Sequence, residues 1–450
     1  MTDSYLLFIR KFFILALLFI SFIGTGFAQE GKIGNIAEQA ALVTEFDVNG
    51  LKVIVKRRAS APTVSGGLFI RGGARNINEK NAGIESLMLA TAVEAGRKIP
   101  RQAVRRELSR TGSNISSAAA NDYSVISLAS TRPNFDRVWD IFTEVALNPA
   151  FAAEDVERNK TLILTGLRES EISPEGALQG LQERMIYSGH PYANEVRGSA
   201  ATIGNLTAAD LRAYHQGVMQ TSKLLLVFVG DLDANELKTR ITASFGKLPR
   251  GDYKDQIYPV LNFSKATLDV TPRGLPTNYI QGSFSAPSLN DKDYYAMRVA
   301  MAILQSLVFQ EVRVKRQLSY APGADMNDFA SNTAHISVTA NDANQAVSVM
   351  LDQIKLLRTQ TLNDAVIAEV AGFFLTKYYL AQETNAAQVG ELARYELIGG
   401  GWRNSFEFLN RVREVKPSDI EAAANKYMKN IRFAVVGNQL AVNRTIFLQN

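Results

Sequence analysis

The chain has 450 residues, 46% of them hydrophobic and 21% charged, with a formal net charge of +5. This composition is that of an ordinary globular protein, long enough for two or more domains. The chain contains no cysteine, which excludes disulfides, thiolate metal sites and a cysteine nucleophile.

The first 28 residues predict a secretory signal peptide. Arg10 and Lys11 precede the apolar run Phe12–Gly24, which is shorter than the roughly 20 residues that a membrane-spanning helix needs. Small residues at Gly26 and Ala28 predict cleavage after Ala28. The alternative is an uncleaved N-terminal anchor. With cleavage, we expect an exported, periplasmic protein without a transmembrane segment in the mature chain.

The first half of the chain alternates predicted strands and helices. A hairpin comes first, because Asn49-Gly50 is a strong two-residue turn signal. The predicted strands are Ala41–Asp47, Leu51–Lys56, Pro62–Ile70, Asn114–Ala120, Tyr123–Thr131 and Leu224–Val229. The predicted helices are Asn81–Gly96, one from Arg101, Asn134–Leu147, Ala153–Glu169, Pro174–Ser188, one from Thr207, and Asn235–Phe245.

The predicted helix Asn81–Gly96 is apolar around most of its circumference, which is typical of a buried helix. Gly96 is expected to end it in the left-handed conformation. Ser86, Leu89 and Ala90 share one face through i, i+3, i+4 spacing. From such positions a helix could offer two metal ligands and an acid/base group to one point, but these three residues cannot bind a metal.

Residues 247–260 are predicted to be a linker, since they combine turn residues and charges without periodicity. The second half then repeats the pattern of the first. Its predicted strands are Ala266–Val270, Thr277–Phe284, Leu318–Phe329, His335–Ala340 and Ile431–Val436. Its predicted helices are Lys292–Gln305, Asn344–Arg358, Asn363–Ala381, Ala387–Ile398, Ser405–Val412, and one to Tyr427 that opens on a capping box, Ser418 with Glu421.

Two segments recur at an offset of about 210 residues, which indicates an internal duplication. Pro62–Asn76 resembles Pro276–Asn290. A helix start, a tyrosine and a strand ending in Val-Gly occur in Thr207–Gly230 and again in Pro417–Gly437. We therefore predict an α+β fold of two duplicated units, residues 29–246 and 261–450, each a mainly antiparallel sheet covered by helices on one face.

Few residues outside the central helix suggest chemistry. His190, His215 and His335 are scattered, and none has a partner at ligand spacing, so each is predicted to be structural. The chain has no Gly-x-Ser-x-Gly elbow, phosphate-binding glycine loop or dinucleotide fingerprint. The basic run Arg97–Arg110 lacks interleaved aromatic residues and predicts a solvated helix face rather than a nucleic-acid site.

The stretch Phe309–Tyr320 contains two residue types that bind substrates. Arg313 can hold a carboxylate or a peptide carbonyl through two parallel hydrogen bonds. Tyr320 can donate a hydrogen bond to a carbonyl or an oxyanion. The residues alone are also compatible with a surface arginine on a helix and a packed tyrosine.

Together these pieces resemble the pitrilysin/insulinase/mitochondrial processing peptidase family, zinc metallopeptidases with the inverted motif H-x-x-E-H. The resemblance covers nearly the whole mature chain, including the duplicated unit, Gly72-Gly73, Gly83-Ile84, Gly189–Tyr192 and Arg313…Tyr320. It implies a chamber of four such units, closed by one long chain or by two half-length chains. Two units in this chain imply the two-chain arrangement.

The resemblance also implies that the zinc site has been lost. On the central helix, the motif's histidine, glutamate and second histidine fall on Ser86, Leu89 and Ala90. The two glutamates of the family's third-ligand helix fall near Asn159 and Gly166. Zinc catalysis needs three protein ligands and an open position for water. We therefore predict no catalytic residue and no metal in this chain.

Arg313 and Tyr320 match the family's R-x(6)-Y spacing, which implies binding of the substrate backbone across the chamber. We predict a subunit that is inactive alone and pairs with a catalytic homologue, whose intact H-x-x-E-H motif holds zinc and cuts peptides. The alternative is a homodimeric, non-enzymatic peptide-binding or scaffold protein of the cell envelope. A metal enzyme with other ligands is a third hypothesis.

Overall fold

The computed structural model describes residues 36–360 and 362–449. The predicted signal peptide lies outside these ranges. Helix α1, Ile36–Ala41, precedes one compact unit that begins at Leu42. Within the described ranges, no helix combines the length and the hydropathy needed to cross a bilayer.

The strands of the compact unit form two sheets, with the orders β1-β2-β6-β3-β5-β4 and β7-β11-β8-β10-β9. The first contains β1 Val43–Val48, β2 Leu51–Arg57, β3 Thr63–Arg71, β4 Asn114–Ala119, β5 Tyr123–Thr131 and β6 Leu224–Gly230. The second contains β7 Thr267–Pro272, β8 Asn278–Ala286, β9 Gly323–Met326, β10 Asn332–Ala340 and β11 Arg432–Gly437. One neighbouring pair in each sheet is parallel, β2 with β6 and β7 with β11, and the other pairs are antiparallel.

The helices follow the same two-part order. Those of the first half are α2 Ile84–Ala92, α3 Arg101–Thr111, α4 Phe135–Leu147, α5 Ala153–Ile172, α6 Pro174–Tyr187, α7 Ala200–Asn205, α8 Ala208–Val218 and α9 Ala234–Ala243. Those of the second half are α10 Tyr294–Val308, α11 Ala343–Thr359, α12 Asp364–Gln382, α13 Asn385–Ile398, α14 Asn404–Arg413, α15 Pro417–Tyr427 and α16 Arg444–Leu448. The α+β fold of two duplicated units is confirmed.

Each sheet buries one face under helices of its own half. In the first half, alternate residues of β6 point into a core that also contains α4 and α8. The rings of Trp139 and Phe228 lie 5.7 Å apart there, and those of Trp139 and Phe245 6.0 Å apart. Aromatic pairs at this distance add to the free energy gained from apolar burial.

The opposite face of each sheet is crossed by a helix from the other half. Helix α6 packs against β11 and β8, and its Leu178 joins Ala434 and Val436 in one apolar cluster. Helix α13 packs in the equivalent way against β3 and β6. As a result β6 is buried at every position, although its chain neighbours alone could cover only one face.

Polar side chains fix both crossing helices. Asn385 Nδ2, at the start of α13, donates to the carbonyl oxygen of Thr63 at 2.7 Å. On α6, Gln182 Nε2 donates to the Arg432 carbonyl oxygen at 3.2 Å, and Arg432 Nη1 donates to that of Met185 at 2.6 Å. Each half therefore contributes one helix to the sheet of the other half, an arrangement called helix exchange below. The two crossing helices are related by the same duplication as the sequences.

The predicted end of the central helix at Gly96 is wrong. Helix α2 ends at Ala92, and the left-handed glycine lies at its other end, where Gly83 has φ 85°. Gly96 instead pairs with Pro149 in an isolated bridge. A Cβ atom on Gly96 would lie 2.3 Å from Glu144 Cγ, so close packing and not helix capping requires the glycine.

Two predictions in the second half are also wrong. The predicted strand Leu318–Phe329 is reduced to Gly323–Met326, because a π-helix, Phe309–Lys315, and its exit loop occupy the preceding residues. Ser418 does not cap α15, which begins one residue earlier, at Pro417. There the Lys416 backbone N–H donates to Asp419 Oδ2 at 3.0 Å, and proline suits the first helical position.

The stretch from residue 248 to 266 contains no helix or strand, but part of it is packed. The Tyr258 hydroxyl lies 2.7 Å from the carbonyl oxygens of both Gly72 and Asn121. His190 Nε2 lies 3.0 Å from the Pro259 carbonyl oxygen. Because both halves belong to one compact unit, the domain boundaries remain a prediction.

The helix exchange predicts that the halves unfold together. Replacing Leu178 with alanine removes apolar contact between α6 and β11, and we expect a loss of about 2–4 kcal/mol in the free energy of unfolding. Urea denaturation followed by circular dichroism and by tryptophan fluorescence should give one coincident transition. Leu162→Ala is the control, because Leu162 is 62% exposed and its loss should have little effect. Two separate transitions would contradict the prediction.

Candidate substrate-binding site and degenerate metal site

The central helix α2 lies between α5, α8 and the edge strand β4. Its start depends on Gly83, because a Cβ atom there would lie 2.5 Å from Ile203 Cδ1 and 2.7 Å from Gly198 Cα. The left-handed conformation and the close approach together restrict this position to glycine. Helix α2 is therefore held tightly at the end that precedes the motif positions.

The motif positions on α2 do not fit a zinc ion. Leu89 is 1% exposed and lies in the core of the first half, and Ser86 and Ala90 are half-buried. Only the Ser86 hydroxyl offers a polar side-chain atom, whereas structural and catalytic zinc sites use imidazole, thiolate or carboxylate groups. Leu89 also leaves no general base at the position of the motif's glutamate.

Helix α5 supplies no replacement ligand. Asn159 Nδ2 lies 3.4 Å from Thr91 Oγ1, which places α5 along α2. Gly166 lies further along α5 with open space beside it, since a Cβ atom there would meet nothing within 4 Å. Within residues 36–360 and 362–449, no group of three or more His, Cys, Asp or Glu side chains could hold a metal ion.

A buried carboxylate lies next to the first motif position, and the sequence analysis did not identify it. Glu85 is 2% exposed and accepts hydrogen bonds from Ser124 Oγ, the Tyr214 hydroxyl and Asn76 Nδ2, the last at 3.1 Å. Burial raises its pKa, while the three donors and the nearby Lys223 oppose that rise. Glu85 thus links α2 to β5 and α8. The available signal was one acidic residue within an otherwise apolar helix.

The Arg313 and Tyr320 side chains lie together. Arg313 is on the π-helix, and its guanidinium carbon is 4.1 Å from the Tyr320 ring centroid and 5.0 Å from that of Phe309. Gln317, with φ 53°, turns the chain after the π-helix, and the Leu318 N–H donates to the Val312 carbonyl oxygen at 2.9 Å. This turn returns Tyr320 to Arg313.

Both members of this pair can reach a ligand. Tyr320 is 80% exposed, and Arg313 is half-buried. The nearby Glu311 pairs with Lys315 and Arg316 instead. Among the residues that the structure describes, no carboxylate pairs with Arg313 within 4.0 Å, so its donors are available to a ligand.

Strand β4 presents an open edge beside α2. It is the last strand of its sheet, and in the part of the chain that the structure describes only β5 pairs with it. The outer N–H and C=O groups of such a strand can pair with an extended peptide. A cleft of about 490 Å³ continues from the end of β4, between Ala119–Asn121 and Tyr187–Tyr192.

Two family profiles match the chain, one in each half. Residues 52–200 match the profile described as Insulinase (Peptidase family M16), and residues 205–371 match Peptidase M16 inactive domain. The chain belongs to the insulinase family, peptidase family M16. It is a member without the zinc motif, since Ser86, Leu89 and Ala90 occupy the motif positions.

Relatives within and beyond the bacteria are distant in sequence. An uncharacterized zinc protease of Rickettsia felis is 19% identical over 86% of this chain and 95% of that protein. The mitochondrial cytochrome b-c1 complex subunit 1 of Bos taurus is 23% identical over 58% of this chain, and the match spans 55% of the bovine protein.

Solved structures of similar proteins show the same fold. The peptidase M16 inactive domain from Pseudomonas fluorescens has a TM-score of 0.82 at 19% identity, covering 89% of this chain and 99% of that one. A protease from Helicobacter pylori has a TM-score of 0.80 at 16% identity, covering 88% of this chain and 99% of that one.

Glu85 predicts a pH-dependent stability. Burial raises the pKa of Glu85 in the folded state above the ordinary 4.5. The contribution of Glu85 to the free energy of unfolding is therefore complete below pH 4.5 and is lost as pH rises through the raised pKa. The free energy of unfolding relative to Glu85→Gln should therefore fall as pH rises above 4.5. Denaturation by urea at a series of pH values measures this, and a difference that is constant with pH would contradict it.

The three donors around Glu85 predict a second effect. Glu85→Leu leaves Ser124, Tyr214 and Asn76 without their acceptor, and we expect a loss of about 2–3 kcal/mol in the free energy of unfolding. Glu85→Gln is the control, since it keeps one acceptor oxygen at the same place. Equal stability of the two variants would show that the hydrogen bonds contribute nothing.

Proposed function

We propose that this chain is the non-catalytic subunit of an exported two-chain zinc peptidase. A partner chain with an intact H-x-x-E-H motif supplies zinc, its ligands and the general base. This chain supplies Arg313, Tyr320 and half of the chamber wall. The observation that carries the proposal is the Arg313–Tyr320 pair, in which Tyr320 is exposed and no described carboxylate lies within 4.0 Å of Arg313. It occurs in a chain whose motif positions cannot bind zinc.

The chemistry of the pair fits a peptide backbone. The Arg313 guanidinium offers several N–H donors in a rigid plane, suited to one or two carbonyl oxygens. The Tyr320 ring packs over that plane and limits its motion, which reduces the conformational entropy lost on binding. A tyrosine hydroxyl beside it can donate to a second oxygen. The pair thus orients a substrate and leaves bond cleavage to the partner's metal.

Two further observations support an assembly that handles peptides. The free edge of β4 runs beside α2 and offers main-chain pairing to an extended chain, without dependence on sequence. The bovine relative is, by its name, a subunit of a larger complex. The part of the proposal that concerns export is supported by the predicted signal peptide, in which Arg10 and Lys11 precede the apolar run and cleavage is expected after Ala28.

A homodimeric peptide-binding or scaffold protein of the cell envelope is the second candidate. The edge of β4 favours it, because binding of an extended peptide there needs no metal and no catalytic partner. The two candidates differ in the composition of the assembly. Native mass spectrometry of the chain, alone and co-expressed with an H-x-x-E-H homologue, distinguishes a heterodimer from a homodimer.

The proposal predicts the behaviour of Arg313→Ala. In the co-expressed complex, we expect kcat/KM for peptide cleavage to fall about ten- to a hundred-fold, because hydrogen bonds from a charged donor contribute about 1.5–3 kcal/mol. Lys315→Ala is the matched control, since it removes one positive charge from the same π-helix at an exposed position. Equal cleavage by the Arg313→Ala and Lys315→Ala complexes would contradict the role of Arg313.

The isolated chain should be inactive and free of stoichiometric zinc. After incubation with zinc and dialysis, elemental analysis should find far less than one equivalent, because Ser86, Leu89 and Ala90 offer no ligand set. One bound equivalent, together with chelator-sensitive peptide cleavage by the chain alone, would support a metal enzyme with other ligands.

A further inference from the structure

A second cavity, of about 300 Å³, lies in the first half and contains no residue of the α2 motif or of the Arg313–Tyr320 pair. Helix α8 provides one side of it through Arg212, His215 and Gln216, which share a face by i, i+3, i+4 spacing, and Met219 follows directly after the helix. The other walls are Arg97, Leu147, Pro149, Phe151, Leu248 and Pro249.

The charges around this cavity are all positive. Arg97 and Arg212 line it, and no acidic residue is among its walls. Arg212 Nη2 donates to the Phe151 carbonyl oxygen at 2.8 Å, and no carboxylate in the described residues pairs with either guanidinium. Burial and the nearby Arg97 lower the pKa of His215, whose Nε2 donates to the Ala146 carbonyl oxygen at 2.8 Å.

One of the residues that line the cavity beside α8 is strained. Phe151 has φ 45°, a left-handed conformation that a bulky side chain rarely adopts. Its ring packs edge-on against His215 at 5.7 Å, and its carbonyl is held by Arg212. Such strain persists only where the surroundings enforce it, and it is frequent at ligand sites. Here the strained residue lines the cavity, and its carbonyl oxygen accepts a hydrogen bond from one of the two arginines.

We propose that this cavity binds a small carboxylate with a short apolar body. Arg97 and Arg212 hold the carboxylate, and Phe151, Met219 and Leu248 enclose the body. Two guanidinium groups without acidic partners favour an anion, because a charge-assisted pair is the strongest polar contact available to them. The six apolar residues among the ten in the walls, and the volume, at the lower end for ligand cavities, favour a compact amphipathic acid over inorganic phosphate.

The test is calorimetric titration of the mature chain with octanoate, with octanamide and with inorganic phosphate. Octanoate should bind in a saturable way, and octanamide should bind at least about tenfold more weakly, because it lacks the charge. Binding of phosphate as tight as that of octanoate would overturn the amphipathic part of the proposal. Absence of saturable octanoate binding at millimolar concentration would overturn all of it.

Variants of Arg97 locate the site. Arg97 is exposed, and its side chain makes no described hydrogen bond, so Arg97→Gln should fold normally and weaken octanoate binding about tenfold. Arg97→Lys should retain most of the affinity. Arg106→Gln is the matched control, since it removes the same charge from the same basic run at an exposed position away from the cavity. Equal weakening by Arg97→Gln and Arg106→Gln would mean nonspecific attraction and would overturn the assignment.

Discussion

The burial of β6 and β11 on both faces is the constraint on which this structure depends. Helices of the same half cover one face of each sheet, and the other face would remain apolar and exposed without a helix from the other half. Helix α6 of the first half covers this face of the second sheet, and helix α13 of the second half covers that of the first. The two helices lie at positions related by the duplication. Neither half is therefore complete in itself, because the hydrophobic effect acts on both faces of each central strand.

The two crossing helices contain none of the predicted site residues. Leu89 belongs to the core, whereas Arg313 and Tyr320 lie at the end of a π-helix, outside the helix exchange. The fold is shared with solved structures at 16–19% identity. Likeness of fold does not specify the activity of a chain.

The sequence predicted most of the fold because the relevant signals are local. Alternating and helical periodicity located most of the strands and helices within a few residues, and the offset between Thr207–Gly230 and Pro417–Gly437 revealed the duplication. Helix exchange could not be predicted, because nothing in the periodicity of α6 indicates which sheet it covers. The predicted end of α2 was wrong for the same reason, because close packing against Glu144, which is distant in sequence, requires the glycine at position 96.

The candidate site, like the fold, could be predicted from the sequence only in part. The lack of zinc ligands at the motif positions and the role given to the spacing of Arg313 and Tyr320 came from the resemblance to the family, applied residue by residue. The contact between those two side chains depends on the left-handed Gln317, and no propensity predicts glutamine in that conformation. Glu85 was missed because its three hydrogen-bond donors come from separate elements. Contacts between residues far apart in sequence exist only once the chain has folded.

The burial of Leu89 limits which side chains its position can hold. A fully buried leucine contributes about 1.5–3 kcal/mol, whereas a carboxylate at the same place would need either a metal or hydrogen-bond donors to offset its desolvation. A zinc site at this place would thus need several substitutions together, because a carboxylate introduced at position 89 alone would be buried without a partner. The packed methyl groups of Leu89 therefore stabilise the chain in a form that has no place for a metal ion on this part of α2.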